Sequence, residues 1–275
     1  MNAKQLLKRL INSALEPFGL EIRGKINIES NIKRASMRGV LEHSKKLNFY
    51  PKTVIDVGAA YGTRSLWEAF PSARHILIEP LEEHKPALDD LAKRFPNMEY
   101  IIAAATKKSG SITINVHRDL DGTSLYLEDE DSNVNGVTRV VPAVTLDEVS
   151  KGRKLEGPYL IKLDVQGAEL DVLQGGAETL RDTEYIILET VLFQFFVNGP
   201  QIFDAITFMR EKGFVVYDIF DLYYRPLDGA MSQVDIAFVK DTGQFRKHHA
   251  YANKEQREAQ DKKYSELFRG KGYIT

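Results

Sequence analysis

The sequence predicts an α/β fold around a seven-stranded, mostly parallel sheet whose last strand runs antiparallel. Short apolar runs alternate with helical patterns along most of the 275 residues, which is typical of a parallel sheet covered on both faces. The last two runs are joined by the polar segment 220–233, which has no helical pattern, so they should pair as antiparallel strands. The predicted strands are 53–57, 75–79, 99–103, 159–164, 185–189, 214–219 and 234–239, and the predicted helices are 64–70, 83–94, 168–181 and 200–212.

The antiparallel last pair favours one class of α/β fold. It separates the Rossmann-like sheet of class I methyltransferases from the sheet of dinucleotide dehydrogenases, by analogy of fold. The predicted sheet domain covers 49–242, between an N-terminal helical extension (1–48) and a charged C-terminal tail (243–275). Two further strands, 111–116 and 138–141, are predicted within an insertion.

The extension and the tail both carry helical patterns. Residues 3–16 form a predicted amphipathic helix, which we expect to pack on its own domain rather than on a membrane. Residues 37–47 form a second predicted helix that leads into the first strand. The tail is predicted to be a solvated helix, with a homo-oligomer contact as its alternative role.

Composition narrows the class of protein. The formal net charge of −2 does not predict a nucleic-acid partner. The lack of cysteine excludes disulfides, cysteine–zinc sites and a thiol nucleophile. Since no apolar stretch approaches the roughly 20 residues of a transmembrane helix, and the N-terminus lacks the pattern of a signal peptide, we expect a cytoplasmic protein.

A glycine-containing turn follows the first strand, in the segment Asp56-Val-Gly-Ala-Ala-Tyr-Gly62. Its two glycines allow the backbone to approach a ligand closely. About 20 residues later the second strand ends at Glu79, where a carboxylate can accept hydrogen bonds from ribose hydroxyls. These features predict a nucleoside site whose candidate residues are Asp56, Gly58, Ala59, Tyr61, Gly62, Glu79 and Pro80.

The chemistry of the turn indicates which nucleoside binds. A pyrophosphate cofactor requires a third glycine and no acidic neighbour, whereas Asp56 would repel it. A carboxylate suits the ammonium and sulfonium charges of S-adenosylmethionine. The structural alternative is that Asp56 caps the turn that follows the strand.

A second motif, Lys162-Leu-Asp-Val-Gln-Gly-Ala-Glu169, lies at the end of the fourth predicted sheet strand. The first and fourth strands should be neighbours, so Asp164 should face the same crevice as Gly58. A buried lysine requires a partner, and Asp164 or Glu189 could provide it for Lys162. Glu169 could simply complement the dipole of the helix that it begins.

Together these segments resemble the FkbM family of methyltransferases. The resemblance covers roughly 50–240 and includes 54–62, the strand ending at Glu79, Thr145-Leu-Asp147, the run 161–169 and Gly175-Gly176. It implies a class I fold, S-adenosylmethionine as cofactor and O-methylation of a hydroxyl on a sugar, glycan or glycosylated metabolite.

The resemblance also implies roles for individual residues. It places Asp56, Gly58 and Gly62 at the methionine side, Glu79 at the ribose and Asp164 beside the transferred methyl group. Residue 166 is frequently Glu in the family and is Gln here. A side-chain amide cannot act as the base, but it could hold a substrate hydroxyl.

Methyl transfer to a hydroxyl benefits from a general base. Asp164 is the first candidate and Glu189, at the end of the fifth strand, is the second. Gln166, Lys162 and Glu169 are the candidate substrate contacts. A divalent metal held by Asp164 and Glu189 is a less favoured alternative. His84 and His117 are expected to be surface or hydrogen-bonded residues rather than bases.

Two segments could contact the acceptor, which is expected to be a small molecule or glycan. These are the aromatic stretch 191–196, whose alternative role is packing under a loop, and the segment 220–233 as an acceptor lid. Two other functions stay open. An NAD(P)-dependent oxidoreductase would require a third glycine where Arg64 and Ser65 stand, and a non-catalytic scaffold could keep the fold and the cofactor.

Overall fold

The computed structural model describes residues 34–129 and 133–270, so the predicted helix 3–16 lies outside the described residues. The strands are β1 (Thr53–Val57), β2 (Arg74–Glu79), β3 (Met98–Ile102), β4 (Ala104–Ala105), β5 (Gly110–Val116), β6 (Val137–Val144), β7 (Tyr159–Leu163), β8 (Thr183–Val191), β9 (Phe214–Tyr224) and β10 (Met231–Lys240). The α-helices are α1 (Met37–Lys46), α2 (Arg64–Ala69), α3 (Lys85–Arg94), α4 (Leu146–Gly152), α5 (Glu169–Gln174), α6 (Ile202–Glu211) and α7 (Lys254–Gly270).

The main sheet has seven strands in the order β3-β2-β1-β7-β8-β10-β9. Strands β3, β2, β1, β7 and β8 pair in parallel, whereas β10 is antiparallel to both of its neighbours. This topology confirms the predicted fold class, including the pairing of the first and fourth sheet strands as β1 and β7. The carboxyl ends of β1, β2, β7 and β8 therefore meet at one edge of the sheet.

The hairpin β9–β10 is longer than predicted. Its strands extend to Tyr224 and from Met231, so the predicted loop 220–233 is largely strand and the turn covers only 225–230. Exposed side chains and register shifts in this outer part of the hairpin break the period-two pattern that identifies a strand in sequence.

The predicted helix 168–181 is wrong in its second half. Helix α5 ends at Gln174, and the next residue, Gly175, packs its backbone against a neighbouring segment: an added Cβ would lie 2.4 Å from the carbonyl oxygen of Thr106. A separate 3-10 turn, Thr179–Asp182, then leads into β8. The glycine pair thus marks a close contact and not the interior of a helix.

The insertion forms a second, three-stranded sheet in the order β4-β6-β5. Strands β5 and β6 confirm the two predicted strands, and β4 was not predicted because it has only two residues. The loop after β5 crosses the end of β7, where the hydroxyl of Ser124 donates to the carbonyl oxygen of Gln166 at 2.5 Å. The insertion therefore covers the edge at which the predicted site residues meet.

One face of the main sheet changes from apolar to charged along the strands. Leu160 and Ile187 are buried in the core beneath this face, together with Val54 and Tyr185. Two residues further along, β7 carries Lys162 and β8 carries Glu189 on the same face, since side chains alternate along a strand. The core thus ends where the polar groups of the site begin.

The described part of the C-terminal tail contains α7, none of whose residues is buried. This agrees with the predicted solvated helix. No helix within the described ranges combines the length and apolar character needed to cross a bilayer.

Candidate active site

The turn after β1 requires glycine at its first position. Gly58 has φ +70°, and a Cβ added there would lie 1.7 Å from the carbonyl oxygen of Asp164. Its N–H donates to the carbonyl oxygen of Ile78 at 2.9 Å, so the turn is held between β2 and the end of β7. The neighbouring strand, as well as any ligand, therefore dictates the glycine.

Glu79 is fixed by the two turns that flank it. One carboxylate oxygen accepts the N–H of Ala60 at 2.9 Å, and the other accepts the N–H of Leu81 at 2.9 Å. The side chain lines the cavity although only 4% of the residue is exposed. Burial raises the pKa of Glu79, and the two backbone donors offset part of that shift. Each oxygen keeps acceptor capacity for a further donor such as a ribose hydroxyl.

Asp56 caps the turn, as in the structural alternative. One oxygen accepts the N–H of Thr63 at 2.9 Å and the other accepts its hydroxyl at 3.1 Å. Asp56 is buried and is not among the residues that line the cavity. Its direct contact with the cofactor therefore stays a prediction, and its observed role is to hold the turn in place.

Three other predicted turn residues also lie outside the cavity wall. Ala59 packs in a small apolar cluster with Leu77, and Gly62 has φ +85° beside the ring of Trp67. Tyr61 is 61% exposed and meets the ring of His84 edge-on. Of the predicted cofactor residues, those that line the cavity are Gly58, Glu79, Pro80 and Asp164.

Lys162 is buried between two carboxylates, of which the sequence predicted Asp164 but not Asp56. Its ammonium lies 3.0 Å from an oxygen of Asp164 and 3.8 Å from one of Asp56. Burial alone would lower the pKa of Lys162, but the two carboxylates raise it above its ordinary value. The lysine therefore stays charged and neutralises Asp164. It is not among the cavity-lining residues, and its direct contact with substrate stays a prediction.

Gln166 joins the two candidate bases. Its amide nitrogen donates to Asp164 at 2.8 Å and to Glu189 at 3.1 Å, and its backbone has φ +52°. All three side chains line the cavity. A carboxylate at position 166 would repel both partners, whereas the amide holds them in register.

Glu169 supports the turn after β7 from below. One carboxylate oxygen accepts the N–H groups of Val165 at 3.0 Å and Gly167 at 3.2 Å. The residue is buried, which raises its pKa to about 7. Glu169 is not among the residues that line the main cavity, and its contact with substrate stays a prediction.

Asp235 on β10 is a site residue that the sequence reasoning missed. It pairs with Glu189 across the antiparallel strands, which places both side chains on the same face. Burial and the carboxylates of Asp164 and Asp235 raise the pKa of Glu189 to about 8. Burial and Asp164 raise the pKa of Asp235 to about 7. The sequence shows a charged residue in an otherwise apolar strand, but it does not show the strand register that places Asp235 opposite Glu189.

These carboxyl groups predict an unusual pH dependence of stability. In the unfolded chain the side chains of Glu169, Asp235 and Glu189 lose their protons near pH 4. In the folded protein they keep these protons up to about pH 7 to 8. The folded protein therefore binds more protons, and stability falls as pH rises through this range. We expect a lower midpoint of thermal unfolding at pH 8.5 than at pH 6.5. The double variant Glu189→Gln, Asp235→Asn should reduce the difference, and an unchanged difference would contradict the assignment.

The cavity between these elements has a volume of about 460 Å³. Its inner wall comes from the turns after β1, β2 and β7, and its outer wall from the loop of the insertion. The residues of the outer wall, which the sequence did not indicate, are Leu120, Asp121, Thr123, Ser124 and Leu125. Tyr223 and Gln233 of the hairpin also line it, which places part of the predicted acceptor lid at the site.

The aromatic stretch 191–196 packs rather than facing the cavity. Phe196 is buried against Gly167, where an added Cβ would lie 2.7 Å from its ring. Phe193 lies under the guanidinium of Arg225, 3.7 Å from the ring centre. The alternative of packing under a loop therefore describes these two rings.

Two observations bear on which cofactor or metal ion these residues could hold. The buried ring nitrogen Nδ1 of His84, a cavity-lining residue, has no hydrogen-bond partner among the described residues, and a polar cofactor would supply one. Together with the carboxylate of Glu79, this atom fits a nucleoside. No group of three or more histidine, aspartate or glutamate side chains in the described ranges is arranged to hold a metal ion.

The reversed strand β10, the glycine turn after β1 and the acid that ends β2 define a class I S-adenosylmethionine-dependent methyltransferase. A family model described as the Methyltransferase FkbM domain matches residues 56–216, more than half of the chain. The protein therefore belongs to the FkbM methyltransferase family. This membership confirms the resemblance and leaves the oxidoreductase alternative without support.

Solved structures offer distant likenesses of fold. An FkbM methyltransferase from Methylobacillus flagellatus KT is 12% identical with a TM-score of 0.41, and the match covers 67% of this chain and 43% of that chain. Magnesium protoporphyrin IX methyltransferase from Synechocystis PCC 6803, with bound SAM, is 11% identical with a TM-score of 0.43 over 87% of this chain and 98% of that chain. The chain thus spans less than half the length of the M. flagellatus protein. No curated protein matches the chain.

Proposed function

We propose that the protein transfers a methyl group from S-adenosylmethionine to a hydroxyl of a sugar, glycan or glycosylated metabolite. The observation that carries the proposal is the pair of carboxylates, Asp164 and Glu189, held together by the amide of Gln166 on the wall of the cavity. Hydroxyl acceptors need a base and an orienting group, and this arrangement offers both. Sugar-type acceptors are what the family resemblance implies.

The cofactor supplies an electrophilic methyl group on a sulfonium. The residues that would hold it are Gly58, Glu79 and Pro80, which line the cavity beneath the turns after β1 and β2. Glu79 would accept hydrogen bonds from ribose hydroxyls, since both its oxygens are already oriented by backbone donors.

Glu189 is the better base of the two candidates, which reverses the order suggested by sequence. The ammonium of Lys162 lies 3.0 Å from one oxygen of Asp164, and the amide of Gln166 donates to the other at 2.8 Å, so each oxygen of Asp164 already has a donor. Burial and the neighbouring carboxylates raise the pKa of Glu189 to about 8, and such a value suits proton abstraction near neutral pH. Its carboxylate would accept the proton of the acceptor hydroxyl while Gln166 keeps it in position.

Asp164 would have an orienting role. Its carboxylate bonds to Lys162 on one side and to Gln166 on the other, so it is fixed between the core of the sheet and the cavity. A fixed negative charge there favours a cationic cofactor and prevents Gln166 from swinging away from Glu189.

The test is methyl transfer with isotopically labelled S-adenosylmethionine and a panel of glycosides and extracted glycans. We expect label in an alkali-stable methyl ether on carbohydrate. Label in an alkali-labile ester or on an amine would overturn the hydroxyl acceptor. Cofactor binding without any transfer across the panel would favour the non-catalytic scaffold. Lys254→Ala, on the exposed helix α7, is the control for handling and should transfer as the native protein does.

A further inference from the structure

His84 stands apart from the expectation for it. It ends the 3-10 turn Glu82–His84 after β2 and is 1% exposed, so it is not a surface residue. Its Nδ1 is buried and has no hydrogen-bond partner within the described ranges, so it is not a satisfied core residue either. Nearly all buried polar atoms in proteins are hydrogen-bonded, and an exception requires an explanation.

The position of His84 supplies one. The backbone N–H of His84 donates to the carbonyl oxygen of Leu81 at 3.2 Å, and the backbone N–H of Leu81 in turn donates to the carboxylate of Glu79. His84 lines the same cavity as Glu79. The pKa of Glu79, which burial raises, is lowered by backbone donors and then by the nearby imidazole. The ring of Tyr61 meets that of His84 edge-on, with centroids 4.7 Å apart, and covers one side of the imidazole.

The two side chains are chemically complementary toward a diol. The carboxylate of Glu79 only accepts hydrogen bonds, so it binds the O–H groups of ribose but leaves their oxygen lone pairs without donors. An imidazole protonated at Nδ1 provides such a donor. We propose that His84 is a cofactor-binding residue that donates from Nδ1 to a ribose hydroxyl oxygen, so that Glu79 and His84 together hold the diol.

Binding of S-adenosylhomocysteine, measured by calorimetry, tests the assignment. We expect His84→Leu to weaken binding by about tenfold, because the hydroxyl oxygen then loses its donor. His84→Asn places an amide near the position of Nδ1 and should recover part of the affinity. Without cofactor, His84→Leu should be at least as stable as the native protein, since it removes an unpaired buried polar atom; a purely structural role predicts the opposite.

His117 offers a matched control. It is also buried, and its ring nitrogen Nε2 has no hydrogen-bond partner in the part of the chain that the structure describes, but it is not among the residues that line the cavity. His117→Leu should leave the affinity unchanged.

Deoxynucleosides identify the atom that is bound. Adenosine should compete with S-adenosylhomocysteine for the native protein better than 2′-deoxyadenosine or 3′-deoxyadenosine does. For one of the two deoxynucleosides, the preference for adenosine should be smaller in His84→Leu than in the native protein. This is expected when His84 interacts directly with the hydroxyl that this deoxynucleoside lacks. Native affinity in His84→Leu, or an unchanged preference with both deoxynucleosides, would overturn the proposal. Failure of the native protein to bind S-adenosylhomocysteine would instead overturn the cofactor site itself.

Discussion

Replacing Gly58 with alanine is expected to eliminate detectable binding of S-adenosylhomocysteine, with a loss of at least about 100-fold. The added Cβ would lie 1.7 Å from the carbonyl oxygen of Asp164, and φ of +70° is itself unfavourable for alanine. The obstacle is backbone, so no side chain can rotate away. Relief requires β1 and β7 to separate where the N–H of Asp164 bonds to Val57 at 3.1 Å. Calorimetry measures the loss of cofactor binding, and the midpoint of thermal unfolding measures the loss of stability that follows from separating the strands.

Gly213 provides the matched control for that substitution. It also has a positive φ, of +81°, but an added Cβ there would meet nothing within 4 Å. Gly213→Ala should therefore show the backbone strain alone, on the order of 1–3 kcal/mol of stability, with normal cofactor binding. Equal effects of the two substitutions would mean that strain, and not the contact between β1 and β7, explains the result.

Replacing Glu189 with glutamine is expected to lower kcat by roughly 10²- to 10⁴-fold with little change in cofactor affinity, since the general base is lost. In the native protein, kcat/KM should rise with pH up to about 8, as Glu189 loses its proton. The rise should disappear in Glu189→Gln. A full pH-dependent rise in that variant would assign the titration to another group.

Asp164→Asn separates the two candidate bases. Because Glu189 is the proposed base, the substitution should leave the pH-dependent rise in place but move it to lower pH, since a negative neighbour that raises the pKa of Glu189 is removed. Asp235→Asn should move it in the same direction. Loss of the rise in Asp164→Asn would restore Asp164 as the base.

The fold could be predicted from the sequence because its strands are apolar and alternate with helices. Parallel strands also align their carboxyl ends, which is why the sequence alone indicates that Gly58, Glu79, Asp164 and Glu189 lie around one cavity. Buried charge carried further information, since Lys162 required the acidic partner that it has.

Other features depend on long-range register and could not be predicted. The place of Asp235 opposite Glu189 follows from the register of the antiparallel pairing between β8 and β10, which the sequence does not specify. The outer wall, including Ser124, comes from an insertion whose path over β7 leaves no periodic signal. The turn-capping role of Asp56 and the buried nitrogen of His84 depend on side-chain contacts that composition and spacing do not specify.

Calorimetric titration of S-adenosylhomocysteine into the native protein and Glu79→Ala tests the central claim most directly. That claim is that the acid ending β2 and the glycine turn after β1 form the cofactor site. We expect one molecule bound per chain by the native protein and at least about tenfold weaker binding by the variant, whose bound ribose loses its charged acceptor. No binding by the native protein, or equal binding by Glu79→Ala, would contradict the claim.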